Sequence, residues 1–292
     1  MNQLLCALAL LYTAHAGASA AITVRDDDGN AVTLAKPARR IIAMAPHVTE
    51  MLFAAGGAEH IVGVVTYSDF PEAAKKIPSV GDNRQVDMER VIAMKPDLIV
   101  VWMHGSSERQ IDTLRQLNIP LFHSEPQKLD GIADSLLRLG QLMGTETVAQ
   151  AAAADLRQQL AALTKQYASR PPVRMFYQVW DKPLYTLNGT HIVSDAIRLC
   201  GGENIFAKLK VTAPVVSIEA VLQEDPEAIF GTSEKNYGGV NLWKPYSTMK
   251  AVRNDNLFTL NGELLNRAGP RMVAGTAALC EKLELARQHR KK

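Results

Sequence analysis

The sequence predicts an α/β protein built of two similar Rossmann-like lobes with central parallel sheets, joined by one long α-helix. Three observations predict this. First, Val86-Asp87-Met88-Glu89-Arg90-Val91-Ile92, running on to Pro96-Asp97-Leu98-Ile99, is echoed by Val216-Ser217-Ile218-Glu219-Ala220-Val221-Leu222, running on to Pro226-Glu227-Ala228-Ile229. Each copy sets a helix-capping residue, Asp87 or Ser217, two positions before a glutamate, then an apolar helix, then a proline-acid strand entry. The copies lie about 130 residues apart, too far for a solenoid period, so they describe paired domains. Second, short apolar runs alternate with helical pattern, which argues parallel sheets. Third, Thr145 to Tyr167 is rich in Ala, Leu and Gln and free of Gly and Pro, the composition of a single long helix.

The elements follow in order. Residues 1–20 read as an export signal: Leu4 to Leu11 is an apolar run too short to span a bilayer, followed by small-residue cleavage options ending at Ala16 and at Ala20. Residues 21–143 form the N-terminal lobe. Its strands are Arg39 to Ala45 closing on a turn at Pro46, Ile61 to Thr66, Leu98 to Trp102 and Pro120 to His123, with helices from Thr49 to Ala55 and from Ser107 to Leu117. Residues 144–170 hold the linking helix, stiff enough to permit only a small opening between lobes. The C-terminal lobe, 171–286, repeats the plan. Its strands are Val173 to Val179, Ala228 to Thr232 and Asn256 to Leu260, and its helices Ser194 to Leu199, Glu219 to Gln223 and Pro270 to Arg287. A second echo, Thr49-Glu50-Met51-Leu52 before Gly56-Gly57 and Ser194-Asp195-Ala196-Ile197 before Gly201-Gly202, fits the same pairing. Residues 287–292 read as a solvated basic tail.

Composition excludes several classes. With 47% hydrophobic and 21% charged residues the chain can bury ordinary cores. Its formal charge is +2, but Arg287, Arg290, Lys291 and Lys292 sit at the very end, so the rest has no basic surplus for phosphates and nucleic acid is not expected. The mature chain is expected to be a monomer that does not itself span the membrane. Once the signal is removed with Cys6, Cys200 and Cys280 remain, either bridged in an oxidising compartment or left as two buried thiols.

The chain shows no Gly-x-Ser-x-Gly, no Gly-Lys-Ser/Thr loop and no Gly-x-Gly-x-x-Gly, and His47, His60, His104, His123, His191 and His289 form no i, i+4 pair. A catalytic role, a resident cofactor and a metal site are therefore not expected. What stands out instead is Pro46, His47, Tyr67, Trp102, Trp180, Tyr185 and Arg267 where strands end, the place of ligands in open α/β sheets. Broad rings in an interlobe cleft suit a large, flat, partly apolar ligand.

Six stretches carry a resemblance: Ala45-Pro46-His47-Val48-Thr49-Glu50, Tyr67-Ser68-Asp69-Phe70-Pro71, Glu89 to Trp102, Glu108-Arg109-Gln110, Cys200-Gly201-Gly202-Glu203-Asn204-Ile205-Phe206 and Arg267-Ala268-Gly269-Pro270-Arg271. Together they make the chain similar to the periplasmic substrate-binding proteins of ABC importers, in the rigid-helix branch, and within it to the cobalamin binders. The resemblance implies a periplasmic protein that carries a corrinoid to an inner-membrane ABC permease dimer; haem or a ferric siderophore is the alternative cargo. It implies that Glu89 and Glu219 dock on permease arginines, that Cys200 pairs with Cys280, and that Pro46, Tyr67, Trp102, Tyr185, Glu263 and Arg267 surround the ligand. Where the family offers tryptophans this chain has Asn83 and Ala213, Glu263 stands where an aspartate is expected, and Trp180 supplies a ring from a neighbouring position. His47 is a candidate to approach a metal centre of the cargo from below.

Overall fold

The computed structural model describes residues 21–82, 85–102, 105–232 and 239–290. The expected signal, Asn83, Lys291 and Lys292 lie outside them. The chain opens with an antiparallel hairpin, β1 (Ile22–Arg25) and β2 (Ala31–Leu34). The first lobe follows as β3 (Ile41–Ala43), α1 (Pro46–Ala54), β4 (Ile61–Val64), α2 (Met88–Ala93), β5 (Leu98–Val101), α3 (Glu108–Arg115), β6 (Leu121–His123) and α4 (Leu129–Met143). Next come α5 (Glu146–Tyr167) and the second lobe: β7 (Val173–Gln178), β8 (Trp180–Asp181), β9 (Leu184–Tyr185), α6 (Ile192–Leu199), β10 (Gly202–Asn204), α7 (Ile218–Glu224), β11 (Ala228–Thr232), α8 (Lys250–Arg253), β12 (Leu257–Leu260), α9 (Gly262–Leu265) and α10 (Met272–His289).

Among the described residues each lobe has a four-stranded parallel sheet, ordered β4-β3-β5-β6 in the first and β10-β7-β11-β12 in the second. In both, numbering each sheet's own strands in chain order, the order across the sheet is second, first, third, fourth, so the lobes share one topology. The repeat legible in the sequence is thus a repeat of architecture. Strands β3, β5 and β11 are buried at every residue, as expected for parallel strands with helices on both faces. In the echoed segments the Asp87 side chain caps α2 by accepting from Arg90 N, and Ser217 caps α7 by accepting from Ala220 N.

Helix α5 has 22 residues and so spans about 33 Å at 1.5 Å per residue. Ala149, Ala153, Leu156, Leu160 and Tyr167 bury one face of it. That face packs along α4, then on α1 of the first lobe and on α6 and α10 of the second. Gly140 permits the close crossing with α4, because a Cβ there would stand 2.3 Å from the Cβ of Ala149. One buried apolar cluster runs from the first lobe through α5 into the second. The link is therefore a shared wall of both cores, which resists swinging more than an isolated rod would.

Two elements differ from the sequence reading. Pro46 is not a turn closing β3 but the first residue of α1, a position where its missing N–H costs nothing. The segment read as a solvated tail begins in the core: α10 runs to His289, and Arg287 is only 6% exposed. Arg287 lies on the helix face of Leu279, Cys280 and Leu283, and donates to the carbonyls of Pro171, Cys200 and Gly201. Those carbonyls need donors where the chain enters β7, and a guanidinium supplies several at once. Beside it the Cys200–Cys280 disulfide joins the end of α6 to α10, with Cα atoms 4.7 Å apart.

Candidate functional site

The carboxyl ends of both sheets open on one cleft between the lobes, enclosing a cavity of about 630 Å³. The first lobe supplies His47 after β3, Trp102 after β5 and Glu125 to Gln127 after β6. From the second come Val179 after β7, the segment Leu187 to Ile192 leading into α6, the loop 211–213, and Asn266 and Ala268 after α9. This is the crevice outside the carboxyl edges where α/β sheets place ligands. Its walls are mainly apolar with a few polar groups, the usual make-up of a small-molecule site.

Trp102 is fixed from behind. A Cβ on Gly105 would lie 1.9 Å from its Cε3, so only glycine lets the backbone pass flat against the indole. His47 meets the same ring edge-on, centroids 5.6 Å apart at 89°. The His47 Nε2–H donates to the Ser124 carbonyl at 3.2 Å, and burial lowers the imidazole's pKa. His191 caps α6, its Nδ1 accepting from Val193 N, so Nε2 carries the proton. Burial depresses its pKa to about 4, an effect that nearby Glu125 only partly offsets. Both cleft imidazoles are therefore neutral near pH 7. Asn204, from the Cys-Gly-Gly-Glu-Asn-Ile-Phe stretch, holds the cleft wall by donating to the Leu187 carbonyl and Ser194 Oγ.

Of the other expected ligand residues that the structure describes, Pro46, Tyr67, Trp180, Tyr185, Glu263 and Arg267 lie outside the walls of this cavity. Tyr67, after β4, is 78% exposed and has φ 65°, a backbone conformation few bulky residues adopt. Trp180 and Tyr185 are cross-strand partners in the β8–β9 hairpin, and the Trp180 Nε1–H donates to the Lys182 carbonyl. Pro46 begins α1 beside His47. Ala213 does line the cavity. Glu263 is exposed, 4.0 Å from Arg267.

Arg267 itself belongs to an ionic seam between the lobes. Glu50, whose side chain is 2% exposed, accepts from Arg271 Nε at 2.9 Å, from Arg271 Nη2 at 2.5 Å and from Arg267 Nη1 at 3.3 Å. Asp69 accepts from Arg267 Nη1 at 2.8 Å, and the Arg271 guanidinium stacks 4.0 Å over the Phe70 ring. Ser68 anchors the same loop by accepting from Thr49 Oγ1. Sequence reasoning missed Glu50, Asp69 and Arg271 as a unit. One signal was present: Glu50 is the one charged residue in the largely apolar segment Val48 to Phe53.

Outside the cleft, Glu89 and Glu219 occupy equivalent first turns of α2 and α7, both exposed. Each helix runs back to the start of the next parallel strand, so its first turn lies toward the carboxyl edge of its sheet. Glu219 is held as a carboxylate of lowered pKa by its own backbone N–H and Ser217. Among the described residues no group of His, Cys, Asp and Glu is arranged to hold a metal ion, and no helix is long and apolar enough to cross a membrane.

Comparison with known proteins adds to this geometry. The sequence pattern of the periplasmic binding proteins matches residues 41–264. The chain is 41% identical over 253 residues to the vitamin B12-binding protein of Vibrio cholerae, covering 86% of this chain and 91% of that one. It is 37% identical over 251 residues to the vitamin B12-binding protein of Yersinia pestis, covering 85% and 88%. Among solved structures it resembles the periplasmic vitamin B12-binding protein BtuF of Vibrio cholerae, with a TM-score of 0.80 at 39% identity over 86% of this chain and 98% of that one. The periplasmic haem-binding protein RhuT of Roseiflexus, at 22% identity and a TM-score of 0.73 over 85% and 99%, shares the fold.

Proposed function

The chain belongs to the periplasmic binding protein family, and we propose that it captures cobalamin or a related corrinoid in the interlobe cleft and delivers it to an inner-membrane ABC importer. It binds its cargo and hands it on without transforming it. The observation that carries the reading is the cleft: two lobes of one topology present their sheets' carboxyl edges to a single cavity walled by Trp102, Pro126, Val179, Leu187 and Ile192. A broad macrocycle with an apolar face fits such walls, and the relatives that share 37 to 41% of this sequence are named for vitamin B12. Tyr67, Trp180, Tyr185, Glu263 and Arg267 complete the proposed ligand set, although they lie outside the cavity walls. Asn83 is included from the resemblance alone. Haem or a ferric siderophore, the second reading, has the shared fold for support.

Glu89 and Glu219 dock the protein on the permease. Two exposed carboxylates at equivalent places on equivalent lobes match a two-fold partner bearing arginines, each able to take a carboxylate bidentately. The chain reaches the periplasm by a cleaved signal within residues 1–20. Calorimetric titration of the mature protein with cyanocobalamin, haemin and a ferric hydroxamate tests the cargo. Saturable 1:1 binding of cyanocobalamin is expected; binding of haemin with none of cyanocobalamin would replace the reading with its alternative. Charge reversal at both Glu89 and Glu219 is expected to abolish corrinoid transport and leave cyanocobalamin affinity intact. Loss of that affinity would show that they serve the cleft.

A further inference from the structure

Two carboxylates reach from one lobe to the other in opposite directions, and they stand at matching positions of the internal repeat. Glu50 follows Thr49 in α1, and Asp195 follows Ser194 in α6. Each of these is the first helix after the strand that begins its lobe's parallel sheet, β3 or β7. Each carboxylate meets the start of the other lobe's last helix. Glu50 accepts from Arg271, the N-cap residue of α10. Asp195 accepts from Lys128, the N-cap residue of α4, at 3.3 Å. A cation at an N-cap only donates, so it cannot satisfy the first N–H groups of its own helix. For α4 the missing acceptor comes from the opposite lobe: Asp195 Oδ2 takes the Leu129 backbone N–H, the first of the helix, at 3.0 Å.

The Asp195 tie joins two walls of the cleft. Pro126 and Gln127 line the cavity just before Lys128, and His191 and Ile192 line it one turn before Asp195. Arg198 braces the carboxylate from within α6, donating to Asp195 Oδ1 at 2.9 Å. Burial works to raise the pKa of Asp195, but the Leu129 N–H, Arg198 and Lys128 prevail and lower it, so the acceptor is charged near pH 7. The two ties differ in strength. Glu50 is 2% exposed and holds two guanidinium groups, whereas the Asp195 side chain is 22% exposed and that of Lys128 63%. The Asp195 side is therefore the one that gives way more readily.

We propose that Asp195 is a positioning residue for the cargo: by capping α4 from the opposite lobe it fixes the spacing between walls 125–127 and 190–192, holds the cleft against opening and slows escape of the ligand. The spacing is a property of the protein alone. The escape rate is read with cyanocobalamin, and that part rests on the corrinoid reading.

The test uses mature protein carrying Gln116→Cys in the first lobe and Thr248→Cys in the second, both exposed positions, for spin labels; Cys200 and Cys280 are bridged and take none. Alanine favours a helix and position 195 is partly exposed, so Asp195→Ala is expected to fold, which circular dichroism checks. In the unliganded Asp195→Ala protein the interlobe distance distribution, measured by double electron–electron resonance, is expected to broaden. The dissociation rate of cyanocobalamin is expected to rise at least about fivefold, with the association rate changed less than about twofold. Asp195→Asn keeps one acceptor oxygen for the Leu129 N–H and is expected to restore the distribution and return the rate to within about twofold of the wild type. Lys128→Ala, which leaves that hydrogen bond in place, is expected to change neither by more. An Asp195→Ala protein with wild-type distances or a wild-type dissociation rate overturns the proposal whatever its Tm, since a purely structural contact lowers stability alone. An equal effect from Lys128→Ala overturns the assignment to the α4 cap. Absence of cyanocobalamin binding to the wild type would instead remove the corrinoid reading, while the distances in unliganded protein still test the tie.

Discussion

Replacing Glu50 with glutamine separates the ionic seam from the rest of the fold. The change keeps the volume of a side chain that is 2% exposed, so any effect comes from charge and hydrogen bonding. The introduced amide would retain one acceptor oxygen, while its N–H groups would face guanidinium donors now held at 2.5 to 3.3 Å. Breaking a buried pair by removing one partner costs about 3 to 5 kcal/mol. Asp69 still neutralises Arg267, which places this case near the lower end, about 3 kcal/mol. For a chain of this size that lowers Tm by roughly 6 to 12 °C. Calorimetry or circular dichroism at pH 7 measures it, with Glu72→Gln in the exposed pair with Lys75 as a control that should scarcely move. A second substitution, Arg271→Met, in the Glu50→Gln background should recover part of the loss, because it removes the cation left unpaired. A drop below about 2 °C in Glu50→Gln would refute the claim that this seam holds the lobes together. Asp69 gives the seam its pH dependence. Burial works to raise its pKa, but the hydrogen bond and charge of Arg267 prevail and lower it. Its contribution is thus present above the ordinary carboxylate value of 3.8 and is lost as pH falls through the lower folded value.

Truncating Trp102 to alanine should weaken cyanocobalamin binding by about 1 to 3 kcal/mol, read by calorimetry; an unchanged affinity would return the ring to a purely structural role. His191, depressed to about 4, should show no ring titration by NMR near pH 6.5 in the native state. The unfolded chain takes up that proton first, so His191 makes stability fall as pH drops from about 6.5 to about 4, and native titration near 6.5 would contradict this. His123 acts with the opposite sign: burial lowers its pKa, but Glu125 and Asp28 outweigh that and raise it, so its stabilisation is present below 6.5 and is lost as pH rises through the folded value. Replacing Cys200 and Cys280 by serine frees a loop of 80 residues and should cost up to about 4.5 kcal/mol on the chain-entropy argument; equal urea midpoints for the two proteins would sink it.

Much of the fold was legible because its causes are local. Asp87 and Ser217 cap the helices they were expected to cap, and β11 spans the apolar run Ala228 to Thr232 that announced it. The small pieces were not legible: β8 and β9 are two residues each, too short for a period of two to show. The hairpin β1–β2 escaped notice although it alternates buried and exposed residues, because Val24, Val32 and Leu34 are few and the charged run Arg25 to Asp28 separates the first from the others.

The candidate site divides in the same way. His47 and Trp102 were readable from their place at strand ends, and both line the cavity. Glu125 and His191 carried no such mark. That there are two lobes of one plan, joined by a 22-residue helix, is written in the chain alone, because hydrophobic period, capping and turn chemistry act within a few residues. Which charges meet is settled only once the lobes have packed. Glu50 finds Arg271 across 221 positions of chain, and Arg287 leaves an apparent basic tail to serve buried carbonyls. Pairings of that kind follow from close packing and from the cost of an unsatisfied buried polar group, and neither leaves a period in the chain.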